Sequence, residues 1–364
     1  MTALGSGTFS HTFENMDMEG DPQARVAFSC GVLGHVLEHH ADDAPAMACI
    51  FLESVALLAA ALDCAPAAAD GTTRMLCDLL HRAANEALAT EQGEGVWAPL
   101  LLSAAPALLG ALQRYRGDAD VAQSACGALA LMGSRAHPPT AAAAARDASA
   151  VLDALDAHHT DARTSAFAAE ALAAFTPHLD AIDATTLPVR QRVFASMERI
   201  CAEHGADAVS VYWALNLLAQ LTAGHVSDPD AAPTPLASVL PLAVAALQRH
   251  AQSEEVCKLA AGVACNVVQT AQVQAASLAL AETGAAAALH DAIRTHGDNN
   301  DQLCGYAAKV LDFVFTFGVD EATAAVGTTL TAKIARTPAG LVRSILQAAR
   351  TSWAQARARA HVHA

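Results

Sequence analysis

Apolar residues recur at i, i+3 and i+4 through nearly the whole chain, the spacing that gives a helix one buried face. Ala and Leu dominate these runs, and both are strong helix formers. Strict alternation of apolar and polar residues, the mark of half-buried strands, is almost missing. Short polar turns separate the apolar blocks: HHADDAP, YRGDAD, HVSDPDAAPTP and THGDNND. The pattern predicts an all-α chain.

The punctuation is itself periodic, which points to internal repeats. Taking the start of the longest apolar helix in each block gives Val26, Met75, Val121, Arg163, Val209, Val256 and Leu303. Their spacings are 49, 46, 42, 46, 47 and 47 residues. The strings that follow agree: VAQSACGALALMG, RTSAFAAEALAAF, VSVYWALNLLAQL, VCKLAAGVACNVV and LCGYAAKVLDFVF. Each places Ala, Gly or Cys early and larger apolar residues late. Small side chains let neighbouring helices approach closely. A second apolar patch precedes the later starts: PALLGAL, LPLAVAAL and AAAALHDAI. One repeat therefore reads as a short helix, a second helix, a turn and a long third helix.

This pattern resembles armadillo repeats. The best stretch is Ala281–Val314, AETGAAAALHDAIRTHGDNNDQLCGYAAKVLDFV, and Leu100–Met132 and Val239–Val268 follow it. Gly284 matches the family's glycine at the sharp bend between first and second helices. The middle and N-terminal repeats match less well, and HEAT-like units fit there. The resemblance implies a right-handed α-solenoid of about seven armadillo- or HEAT-like repeats over residues 22–318. A flexible segment, 1–21, precedes it, and a capping region, 319–364, follows. Such stacks expose a long concave groove lined by the third helices.

The implied function is a non-catalytic scaffold or adaptor that binds a partner protein or peptide along that groove. In peptide-binding armadillo proteins the third helix often carries a Trp and, one turn later, an Asn. Asn216 and Asn266 fall near that position here, with Tyr212 or Trp213 before the first and Gly262 before the second. With Lys309 these make the candidate groove residues: Tyr212, Trp213, Asn216, Asn266 and Lys309. An alternative is a regulator that promotes nucleotide exchange on a chaperone ATPase or small GTPase.

A third function class rests on His35-Val36-Leu37-Glu38-His39, which reads HxxEH. On a helix the two imidazoles lie one turn apart and suit zinc, with Glu38 as base. Hydrolases of that type need a further acidic ligand and a mixed α/β scaffold, and the strands are not predicted here. A polar helix end is the better expectation, with no catalytic residues, metal or cofactor. His158-His159 is expected as a solvated turn. Phosphate-cradling glycine motifs and GxSxG are missing from the sequence.

Charge narrows the partners. The 364 residues carry a formal net charge of −16. An acidic surface repels phosphate backbones, so nucleic acid is excluded for the bulk of the chain. It suits a protein or peptide with a basic patch. Charged residues make up only 16%, against roughly 25% in an average domain, so most of the chain is expected to be folded rather than disordered.

The charge is uneven. No acidic residue follows Glu321, and Lys333, Arg336, Arg343, Arg350, Arg357 and Arg359 lie in that tail. Leu341, Ile345, Ala349 and Trp353 share one helical face, while Arg343, Arg350 and Arg357 recur every seven residues on another. Three roles fit this basic amphipathic helix. It caps the last repeat, it contacts a partner or a membrane surface peripherally, or it docks in the chain's own acidic groove. Its interaction residues are Arg343, Arg350, Trp353 and Arg357.

The nine cysteines contain no CxxC pair, and most lie in apolar runs. Buried free thiols in a reducing compartment are expected, hence a cytoplasmic location. The N-terminus shows no secretory signal. The most apolar windows, Ile50–Leu62 and Ala98–Leu112, are too short to cross a bilayer, so no transmembrane segment is expected.

Overall fold

The computed structural model describes residues 70–89, 93–133, 141–179, 186–227, 238–270, 283–297 and 300–317, with Ala59, Leu62 and Leu280. The 1–21 segment, the HxxEH motif and the 319–364 tail with Arg343, Arg350, Trp353 and Arg357 lie outside the described residues. The described residues are helical, with no strand among them.

The helices are α1 (Asp70–Ala89), α2 (Gly93–Arg114), α3 (Ala119–Gly133), α4 (Ala141–Ala157), α5 (Ala162–Phe175), α6 (Thr186–Glu203) and α7 (Ala208–Ser227). They continue as α8 (Val239–Arg249), α9 (Glu254–Thr270), α10 (Ala285–His296) and α11 (Asp301–Phe317). The chain divides into two compact units, Met1–Met132 and Gly133–Ala364.

In the first unit α1 packs on α2. Arg74 of α1 reaches the turn before α3 and pairs with Asp118 at 2.8 Å. The His81 ring of α1 lies against Gly127 of α3, where a Cβ would come within 2.7 Å of it. Leu76, Leu80, Leu108, Leu112, Leu129 and Met132 are fully buried.

The second unit is built from helical hairpins. α4 packs on α5, α6 on α7, α8 on α9, and α10 on α11. The first members form one series, α4 on α6, α6 on α8, and α8 on α10. The second members form another, α5 on α7, α7 on α9, and α9 on α11. Small residues are frequent in the buried parts of these helices: Ala168, Ala169 and Ala171 on α5, Ala260, Ala261 and Ala264 on α9, and Ala307 and Ala308 on α11 are all buried. Close approach of the helices follows from their size. On the other series, Arg192 of α6 bridges Asp153 and Asp156 of α4 at 3.0 and 2.7 Å, and Arg199 joins Asp156.

Three helices per repeat were expected. Between α5 and α6 the described residues hold only a single 3-10 turn, Thr176–Leu179. The short interval leaves little room for a further α-helix, and the Thr176 hydroxyl bonds back to the Leu172 carbonyl at 2.9 Å. Gly284 takes φ 72° and ψ 29°, the left-handed region that favours glycine, directly before α10.

Candidate interaction surface

The turns that start α3, α5, α7, α9 and α11 share one chemistry. In each, a short polar side chain accepts the N–H three residues on, the N-cap bond that satisfies an otherwise orphaned donor. Asp118 accepts from Val121 at 3.1 Å and Asp161 from Thr164 at 2.9 Å. Asp207 accepts from Ser210 at 2.8 Å, Ser253 from Val256 at 3.5 Å and Asn300 from Leu303 at 2.8 Å. The caps stand 43, 46, 46 and 47 residues apart. The apolar helix starts found in the sequence fall two or three residues behind them.

Burial of the three aspartates pushes their carboxyls upward, but hydrogen bonding outweighs it. Asp118 is held below its ordinary value chiefly by Arg74 and the Val121 N–H. Asp161 and Asp207 are lowered by the Thr164 and Ser210 hydroxyls and N–H groups, with His204 adding a smaller effect on each. These three caps are therefore anionic at neutral pH.

In the second unit the caps put α5, α7, α9 and α11 in a common register. Six residues past each cap stand Phe167, Trp213, Leu259 and Tyr306. Nine past stand Glu170, Asn216, Gly262 and Lys309. All of the first set are partly exposed. Arg163 lies over the Phe167 ring at 5.7 Å. Tyr212 and Trp213 meet edge to face, with centroids 5.0 Å apart. Val209, at the start of α7, is 57% exposed.

The five candidate groove residues thus fall on three successively packed helices, and their surroundings differ. Tyr212, Trp213 and Asn216 are half-exposed on α7. Asn266 of α9 is engaged within the fold: its amide donates to the Ala219 carbonyl and the Thr222 hydroxyl of α7, both at 3.1 Å. Lys309 is exposed on α11. Burial raises the Cys265 thiol, and the Lys309 charge partly opposes that.

Two neighbouring groups were not singled out in the sequence. Glu170 has no hydrogen-bond or ion partner among the described residues, and burial raises its carboxyl. Gln220, one turn past Asn216, holds a buried Oε1 without a partner among the described residues. Their only sequence signal is a polar residue at a fixed distance from a cap.

His158-His159 forms a turn, yet both residues are half-covered rather than fully solvated. His204 packs onto that turn and donates to the His159 carbonyl. The six described cysteines are buried free thiols. Burial pushes Cys77, Cys126 and Cys201 up to about 12, so they stay protonated at neutral pH. Among the described residues no group of three or more His, Cys, Asp or Glu side chains is placed to hold a metal. Among them, too, no helix is long and apolar enough to cross a membrane. No known protein family, curated protein or solved structure matches the chain.

Proposed function

We propose that the chain is an armadillo- or HEAT-like right-handed α-solenoid that works by binding a protein or peptide, without catalysis, across the row formed by α5, α7, α9 and α11. The observation that carries this is the shared register of those helices. Four caps, 46, 46 and 47 residues apart, fix where each helix starts. Side chains at equal distances from the caps then form rows that run from helix to helix.

The chemistry of the rows favours a ligand that brings hydrogen-bond donors. Glu170, nine residues past its cap, is a half-buried carboxylate with no partner among the described residues. A buried acceptor left unpaired costs free energy that a partner's donor recovers. Phe167, Trp213 and Tyr306 supply partly exposed aromatic surface, the residue type that dominates binding hot spots. The net charge of −16 adds attraction for a basic patch. Buried free thiols support a reducing, cytoplasmic setting.

The test is capture from native lysate by the intact chain and by the Trp213→Ala/Asn216→Ala variant, with circular dichroism confirming equal folding. A partner retained by the first and lost by the second supports the assignment. Equal recovery by both places binding elsewhere and refutes it.

A further inference from the structure

We propose that His204, His250 and His296 form a coupling ladder that makes the hairpins of the second unit open together rather than singly. His158, His204, His250 and His296 recur at intervals of 46 residues. The last three each aim Nε2 at a main-chain carbonyl 45 residues earlier: His204 at His159, His250 at Gly205 and His296 at Ala251. The latter two bonds are 2.9 Å long. Every acceptor directly follows the preceding histidine of the series. Successive rungs are thus joined through a single residue of backbone, and displacement of one turn pulls on the next.

The carbonyl acceptor places a proton on Nε2 in all three rings. Other groups reinforce the same edge. The Ser210 hydroxyl shares its single proton between Asp207 and the Ala162 carbonyl, the latter 2.9 Å away, and the Asn300 amide donates to Glu254 at 2.8 Å. Arg249 lies against Gly205, its Nη1 within 2.2 Å of where a Cβ would stand. Around His204 stand the Ser165 hydroxyl at 3.4 Å and the two capping carboxylates of Asp161 and Asp207. Packing between the helices joins neighbouring hairpins in any case. The ladder adds a directional tie at their turn ends.

Hydrogen exchange on the full chain tests this. In the wild type, residues 141–227 and 254–317 should open with similar protection. His250→Ala should speed exchange over 254–317 on the order of tenfold relative to 141–203. His204→Ala should move that boundary one hairpin earlier, and His290→Ala, whose ring reaches Asp291 of its own helix at 3.6 Å and is not a rung, should move nothing. Exchange over 254–317 within about twofold of wild type in His250→Ala overturns the proposal. Long-range proton–nitrogen NMR of the unaltered protein gives an independent check if a variant fails to fold. A proton on Nε2 at positions 204, 250 and 296 is expected, and Nδ1–H tautomers with bare Nε2 at these positions overturn the ladder.

Discussion

Tyr306 of α11 lies across the backbone of Gly262 on α9: a Cβ placed on Gly262 would meet the ring's Cε2 at 3.4 Å. That is ordinary van der Waals contact. The glycine is therefore not required by the space beside it, although it lets the ring approach the helix. The contact ties two neighbouring rows together, since Tyr306 stands six residues past one cap and Gly262 nine past the previous one.

Gly262→Ala is expected to raise stability by about 0.5–1 kcal/mol, the usual gain from removing a mid-helix glycine. Gly205→Ala should do the opposite. Its Cβ would fall 2.7 Å from the Cys201 carbonyl oxygen as well as on Arg249, and such overpacking costs about 1–3 kcal/mol. Urea denaturation of the two variants checks both signs.

The capping bonds give a second expectation. Asp161→Ala and Asp207→Ala should each cost about 1 kcal/mol, because the Thr164 or Ser210 N–H loses its acceptor. Asn at either position keeps an acceptor and should recover most of the loss. Thermal melts of the four variants at neutral pH decide this.

Helix type and the spacing of the polar turns were legible because apolar spacing and turn residues are local properties. The strings beginning at Val121, Arg163, Val209, Val256 and Leu303 do start the helices that pack in series or follow a cap. Tertiary bonds to the backbone were not legible. Nothing in the residue types near Asn266 says that its amide is taken by the Ala219 carbonyl of another helix. The 46-residue recurrence of histidine was visible, but histidine in a polar turn ordinarily reads as solvated, and its acceptors are carbonyls that carry no sequence signal. Glu170 was equally hidden, since a lone carboxylate in an Ala-rich helix looks like solvated surface.

Acid should act in two opposite stages. Burial raises the Glu170 and Asp312 carboxyls. A carboxyl raised in the folded state lowers stability at neutral pH, and that penalty fades as pH falls through its folded value. Asp118, Asp161 and Asp207 are lowered overall, as is Asp156, where Arg199 and Arg192 outweigh the effect of burial. Their contribution is full above the unfolded value of ~3.9 and disappears as pH falls through the still lower folded values. Glu170→Gln should therefore raise the melting temperature at pH 7, with the gain shrinking on acidification. The Asp161→Asn/Asp207→Asn variant should lose less stability than wild type below about pH 4. Melting curves from pH 7 to pH 3 measure both trends.

Binding across the row of α5, α7, α9 and α11 is tested most directly by site-specific photo-crosslinking. A photoreactive phenylalanine analogue is placed at Trp213, at Tyr306 and, for comparison, at Gln191, which is exposed on α6. A partner seated on the row predicts that one and the same protein is crosslinked from positions 213 and 306 and not from 191. Crosslinking from 191 with none from 213 or 306 would contradict it and move the interaction to the other series of helices.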